Sequence, residues 1–423
     1  MRVVLPFGKG RVRFEVSKKN LLGIIEPSRT RVAPDSISEI RRALSNPISS
    51  EGLKGLVGPG EKIAIVATDY TRPCPEDIIL PALLDDLEAA GIDLEDVVVV
   101  VGTGVHRPMA EEEMREKYRV LDRVRVVNNE PFNEEKLEYL GRTSTGGPIY
   151  INREVAGADF VIAVGVVEPH QYAGFSGGRK LVAVGAAGAK TITHIHQPKF
   201  IDVRGARLCN LKGNPFHNEL VEIASKTNLK FAVNVVLDAR HKLVRCFAGE
   251  PTASFEEATK LARELYVQKV PEPADILVLG VGHPKDVDLY QSSRGFTYAY
   301  FASKPAVKRG GVIVLVTPCP EGTGNPAFEN LLRRSRTPSE AVKKGREIGF
   351  EAGEQRAYMA AKVLEHAKVI VVGSSIPPGV LEEMFFDSAK TVDEALAKAF
   401  KIVGKNAKVL VIPYSLLTIP MVG

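Results

Sequence analysis

The 423-residue chain is 44% hydrophobic and 25% charged, an ordinary soluble composition long enough for two or three domains at about 150 residues each. Its net charge of +5 carries no basic arm or run, so nothing points to nucleic acid, and its four scattered cysteines (Cys74, Cys209, Cys246, Cys319) make neither a metal spacing nor a disulfide framework. Apolar runs fall well short of the roughly 20 residues that span a bilayer and the N-terminus lacks a signal-peptide core, so the expectation is a cytoplasmic protein without a membrane or nucleic-acid partner.

Residues 2–16 read as two short strands around the turn signal Phe7-Gly8-Lys9-Gly10. Asp35 opens a helix that places Ile37, Ile40 and Leu44 on one side, and Pro47 ends it. From residue 61 short apolar strands alternate with amphipathic helices. Strands are expected over 61–68, 97–102, 124–129 and 158–167, helices over 75–90 and 109–118, and a hairpin over 143–151. Two further strands follow at 230–237 and 242–247. Such continuous apolar runs mean parallel strands buried on both faces. A second series has strands over 274–282, 310–318, 367–375 and 407–413, and Pro271 and Pro273 mark a linker before it. The expected fold is α/β: two domains with mainly parallel sheets, 1–267 and 268–423, and a ligand cleft between them.

Ligands of open parallel sheets bind beyond the carboxyl ends of strands, and the unusual residues of this chain follow such ends. They are Asp69-Tyr70-Thr71-Arg72, Thr103-Gly104-Val105-His106-Arg107, and the run from Glu168-Pro169-His170 to Arg179-Lys180. In the second series Asp288-Leu289-Tyr290-Gln291 and Arg294 hold the same place. Two histidines at equivalent strand ends, His106 and His170, suit alternating base and acid roles; each could instead order its loop. Glycine-rich 174–180 offers backbone amides to a phosphate, but it is not a Walker loop, and no dinucleotide fingerprint exists. His194 and His196 look like a metal pair, yet on a helix residues i and i+2 do not share a face. A single histidine ligand then requires a cofactor to supply the rest. His217, His241, His283 and His366 read as structural. Arg107 reads as surface charge, while Arg72, Arg179 and Arg294 are candidate cations for an anionic ligand. Asp69 either orients a neighbouring histidine or arginine, or caps the helix after Pro75.

The motifs D-x-T-R-P (69–73), G-x-H-R-P-M (104–109), E-P-H-x-x-A-G-F-S-G-G-R-K (168–180), H-x-H-Q (194–197) and D-x-Y-Q (288–291), in this order along nearly the whole chain, resemble the nickel-dependent lactate racemase family. The resemblance implies an isomerase, a racemase or epimerase that inverts C2 of a 2-hydroxy acid. It implies nickel held in a pincer nucleotide, pyridinium-3-thioamide-5-thiocarboxylic acid mononucleotide, made by dedicated cofactor-synthesis enzymes that would be transient partners. By the same resemblance Lys180 carries the nucleotide covalently and His196 completes the nickel coordination. Asp69, Gly177 and Gly178 fall at cofactor-binding positions, His106 and His170 at the proton-transferring ones, and Arg72, Tyr290 and Gln291 at substrate-contacting ones. Two departures concern the substrate: Arg294 stands where lactate-acting members have lysine, and the chain has no tryptophan. Lactate or a larger 2-hydroxy acid, such as a dicarboxylate or sugar acid, is therefore the expected substrate. The alternatives are an NAD-dependent 2-hydroxyacid dehydrogenase and a non-catalytic carboxylate-binding protein.

Overall fold

The computed structural model describes residues 1–302 and 304–423. They form two compact units, one of Arg29–Glu264, the other joining Met1–Ser28 to Leu265–Gly423.

The first unit is built on six strands in the order Leu243–Gly249, Leu229–Leu237, Phe160–Val166, Ile63–Thr68, Val97–Gly102, Arg125–Asn128. The first pair is antiparallel and every other pair parallel. The three middle strands are buried along almost their whole length, as strands covered on both faces must be. Their Val and Ile side chains meet Leu80, Leu83, Leu84 and Leu87 of the helix Glu76–Glu88 in one core. The helix Ser36–Ser45 starts where expected, with the Asp35 carboxylate accepting from the Ser38 amide at 2.8 Å. Ile40, Ala43 and Leu44 make its buried side; Ile37 is exposed. The expected hairpin is wider than its sequence signal: Leu137–Arg142 pairs with Pro148–Asn152, and 143–147 is the turn.

The second unit has six strands in the order Asp387–Ala389, Lys368–Val372, Val307–Val316, Ala274–Gly280, Val409–Ile412, Leu21–Ile24. All neighbours are parallel. The chain is thus an α/β protein with two mainly parallel sheets in two domains.

Residues 1–28, expected from sequence in the first domain, join the second unit. Leu21–Ile24 pairs with Val409–Ile412, and Val3, Leu5, Phe14 and Val16 of the N-terminal hairpin enter that sheet's core. Pro271 and Pro273 do not mark the boundary, because Val267–Val270 is already a strand paired with Ile419–Val422. No local signal carries these pairings, since their partners lie at the far end of the chain.

Asn20 fixes this closure. Its buried amide donates to the carbonyls of Lys405 and Ala407, both at 2.9 Å. Asn20→Ala leaves two carbonyls without their donor, and is expected to lower stability by about 1–3 kcal/mol, measured by urea denaturation against wild type.

Candidate active site

Three adjacent strands of the first unit deliver the residues singled out in the sequence. Ile63–Thr68 leads to Asp69, and its two neighbours, Val97–Gly102 and Phe160–Val166, lead to His106 and His170. All three run parallel, so these residues leave the same edge of the sheet. A single turn of π-helix, Leu181–Gly185, packs against all three strands, and Lys180 stands at its head. Gly102 and Gly185 approach so closely that a Cβ on Gly102 would lie 3.1 Å from the Ala67 carbonyl and 3.3 Å from the Gly185 Cα. The Gly104 amide donates to the Gly185 carbonyl at 3.0 Å, which ties the His106 loop to the Lys180 turn.

Asp69 is 2% exposed. Its Oδ1 accepts from the Thr71 hydroxyl at 2.6 Å and the Thr71 amide at 3.0 Å, and its Oδ2 lies 2.5 Å from His106 Nδ1. Burial pushes the carboxyl up, but His106, Arg72 and Thr71 outweigh it and hold it well below the usual carboxylate range. An ionised Asp69 makes His106 Nδ1 a donor, which leaves Nε2 with the lone pair when the ring is neutral. Of the two alternatives the sequence left open, Asp69 orients a histidine; the helix after Pro75 has no side-chain cap. Arg72 Nη1 donates to the Thr71 hydroxyl at 2.5 Å. Arg107 pairs with Glu113 at 2.7 Å and lies over the Tyr70 ring, in keeping with a surface role.

Beneath this loop lies a buried network the sequence did not reveal. Glu76, fully buried, accepts from the Thr68 amide at 3.0 Å and from the Thr68 hydroxyl. Lys117 Nζ meets its other oxygen at 2.9 Å and donates to the Arg72 carbonyl at 2.9 Å. Tyr118 donates to the Thr68 carbonyl at 2.7 Å. Losing one member of such a buried pair costs about 3–5 kcal/mol, so the chain on either side of Asp69 is held firmly. Nothing local in the sequence marks Glu76 and Lys117 as partners 41 residues apart.

The 168–180 loop folds back on itself. Pro169 and His170 pair with Phe175 and Gly174, and Ser176 Oγ bridges the Val166 carbonyl and the Glu168 amide at 2.8 and 3.0 Å. Gly177 and Gly178 have φ of +85° and +51°. A Cβ on Gly177 would meet Val167 at 2.8 Å, and one on Gly178 would meet Phe255 at 2.9 Å, so packing alone demands glycine at both. Arg179 hydrogen-bonds Thr252 and braces the loop. His170 Nδ1 lies 3.2 Å from the Ala173 amide and 3.4 Å from that of Tyr172. Accepting from them puts the proton of the neutral ring on Nε2.

His196 and His194 are held by different hydrogen bonds. His196 Nδ1 donates to the Ile192 carbonyl at 2.7 Å, which leaves Nε2 as the basic nitrogen, the state a metal ligand needs. Its ring stands edge-on to Phe216 at 4.9 Å and to Tyr172 at 5.6 Å, and His170 contacts the same two rings. Asn214 fixes this cluster by donating to the Tyr172 carbonyl at 2.7 Å. His194 instead reaches Thr145 of the hairpin turn, at 3.0 Å. Among the described residues no three His, Cys, Asp or Glu side chains form a group that could hold a metal.

In the second unit, Asp288 caps the short helix Leu289–Ser292, accepting from the Gln291 amide at 2.6 Å. Tyr290, Gln291 and Arg294 are all buried. Among the described residues no helix is long and apolar enough to cross a membrane.

Residues 7–207 match the lactate racemase N-terminal domain, and residues 269–419 match the lactate racemase C-terminal domain. Lactate racemase of Thermoanaerobacterium thermosaccharolyticum is 33% identical over 419 residues, 97% of each chain. That of Lactiplantibacillus plantarum is 33% identical over 420 residues, again 97% of each. The structure of the T. thermosaccharolyticum lactate racemase apoprotein superposes with a TM-score of 0.88 at 32% identity, covering both chains fully. A Thermotoga maritima protein shares the fold, with a TM-score of 0.74 at 19% identity over 93% of this chain and all of that one. Fold and matches together define a two-domain α/β racemase, an isomerase acting on a 2-hydroxy acid. The chain belongs to the lactate racemase family, and membership implies the nickel pincer nucleotide.

His217 gives the first unit a measurable pH dependence. Burial, with help from Arg179, lowers its pKa from 6.5 to about 4, and its ring stacks on Phe255 at 6.2 Å. Between pH 6.5 and 4 the unfolded chain binds a proton that the folded chain refuses, so stability falls as pH drops through that window and levels off below it. His217→Gln should flatten the fall by at most about 1.4 kcal/mol per pH unit, less where solvent reaches the ring. Denaturation midpoints at pH 6.5, 5.5 and 4.5 provide the check.

Proposed function

We propose that this protein is a 2-hydroxyacid racemase or epimerase in which His106 and His170 exchange the substrate's hydroxyl proton while C2 is inverted. The observation that carries this reading is the opposite preparation of the two rings. Asp69 leaves His106 Nε2 able to accept a proton, whereas backbone amides leave the His170 proton on Nε2, ready for donation. A neutral imidazole can act as such a donor. Both rings follow adjacent parallel strands around Asp69.

When bound, the pincer nucleotide supplies a hydride acceptor and donor for C2. Lys180 is the residue proposed to hold it, from the head of the turn that packs on all three strands. His196 Nε2 is the proposed nickel ligand; its tautomer and buried aromatic surroundings suit a single imidazole donor, and the nucleotide would supply the remaining donors. Gly177 and Gly178 are proposed to bring backbone to the nucleotide, and Asp69 to act on the cofactor site only through His106. Arg72, Tyr290, Gln291 and Arg294 are proposed to hold the substrate, the arginines through its carboxylate.

The chemistry asked of the protein side chains is modest. His106 would take the substrate's hydroxyl proton, and His170 would give a proton to the carbonyl oxygen of the planar 2-oxo acid once that acid has turned its other face to the cofactor. A proton passed from His106 to His170 through solvent would restore the starting state. In the other direction the rings exchange roles. The missing dinucleotide fingerprint and the family matches speak against a dehydrogenase, and an isomerase family speaks against simple carboxylate binding.

Protein made together with the cofactor-synthesis enzymes should carry a mass increase absent from Lys180→Ala, read by intact mass spectrometry. Active protein of unmodified mass would rule out the covalent tether. His106→Ala should lower turnover by about 10²–10⁴-fold in both directions, followed by chiral chromatography. Asp69→Asn should slow the same step with the adduct mass unchanged.

A further inference from the structure

From Phe231 to its end, the strand Leu229–Leu237 is buried and apolar except at one position, Asn234, which is 0% exposed. A polar side chain is costly there unless its hydrogen bonds are made. Both of its amide atoms are committed. Oδ1 accepts from the Gly178 amide at 2.9 Å, and Nδ2 lies 3.3 Å from Ser254 Oγ, to which it donates. Ser254, itself buried, donates to the Glu250 carbonyl at 2.8 Å, so the Asn234 side chain is anchored at both ends.

Strand alternation decides which way Asn234 faces. Its neighbours Val233 and Val235 belong to the core shared with the helix Glu76–Glu88; Asn234 faces the other side of the sheet, against the 168–180 loop. Its partner in parallel register is Gly165. A Cβ on Gly165 would lie 2.6 Å from Leu181 Cδ1 and 3.5 Å from the Gly177 Cα. Gly165 therefore leaves the space into which the turn settles, and Asn234 supplies a bond that holds it there.

That bond acts on a single peptide plane. The Gly178 N–H and the Gly177 C=O belong to one planar unit. Asn234 accepts from the first, and the second accepts from the Lys180 amide at 3.3 Å. Gly177 and Gly178 are both at positive φ, and glycines leave such a plane free to rotate unless a partner fixes it. Resting on the reading that Lys180 holds the nucleotide, we propose that Asn234 is a positioning residue for Lys180: by fixing the 177–178 peptide plane it sets the start of the turn from which that lysine meets the cofactor. A plane free to flip would take the Lys180 amide, and the head of the π-helical turn with it, out of place.

The test compares wild type, Asn234→Leu, Asn234→Asp and Ser254→Ala, each made together with the cofactor-synthesis enzymes. The fraction of protein carrying the adduct is read by intact mass over a time course, and folding by thermal denaturation. Leucine has nearly the shape of asparagine without the acceptor, so Asn234→Leu should load about 10-fold more slowly than wild type while remaining folded. Asn234→Ala, which also lacks the acceptor, is read in its place if Asn234→Leu does not fold. Asn234→Asp keeps an oxygen for the Gly178 amide and should recover most of the loading, even though a buried carboxyl lowers its melting temperature. Ser254→Ala removes the anchor but not the Gly178 bond, and should load close to the wild-type rate. Loading of Asn234→Leu at the wild-type rate overturns the proposal and leaves Lys180 as the tether. Loading that simply follows melting temperature across the variants, with Asn234→Asp no better than Asn234→Leu, makes Asn234 structural and overturns it too. Wild type that gains no adduct overturns both.

Discussion

A carboxylate kept ionised in a buried place is the constraint around which the first unit is arranged. Asp69 has almost no contact with water, and an unpaired charge there would be protonated rather than tolerated. Thr71, Arg72 and His106 supply the compensation. Each depends on chain geometry set elsewhere. His106 reaches Asp69 because its strand is the parallel neighbour of Ile63–Thr68. The 68–74 segment is positioned from below by the Glu76–Lys117 pair and by Tyr118. The polarity of the site is therefore a property of strand order: exchange two neighbours in the sheet and the carboxylate loses its imidazole.

The sequence made legible what is local or periodic. Apolar runs located the central strands, Asp35 located its helix start, and hairpin 143–151 was found by its turn residues though not by its arms. His106 and His170 were recognisable by position after such strands. The helical spacing argument separated His194 from His196, and the two do face different partners. What escaped was long-range. Glu76 and Asn214 carry no mark in the sequence; only the fold sets them against Thr68 and Tyr172. Arg356 gave no signal at all, because a lone arginine in a helix reads as solvated until its burial is known. Gly177 and Gly178 carried a subtler ambiguity. A glycine-rich loop suggests a phosphate cradle, but close packing against Val167 and Phe255 already requires both glycines.

The two units differ in how their charged residues are stabilised. In the first, ions are paired at short range and protons are placed by named partners, the arrangement needed where a proton must move between fixed atoms. In the second, Arg294 and Arg356, both buried, act electrostatically on the Asp288 carboxyl, whose pKa burial lifts to about 7.

The edge strand Leu21–Ile24 has a consequence for synthesis. Its neighbour Asn20 is bonded to Lys405, 385 residues later, and the whole first unit lies between. At ribosomal rates of about 5–20 residues per second, the opening segment waits roughly 20–80 s for its partner strand. Residues 29–264 are contiguous and can collapse during that interval. Residues 1–28 are thus made before the first unit yet docked after it, because the sheet and core that Val3, Leu5 and Phe14 join are completed only by residues 387–412.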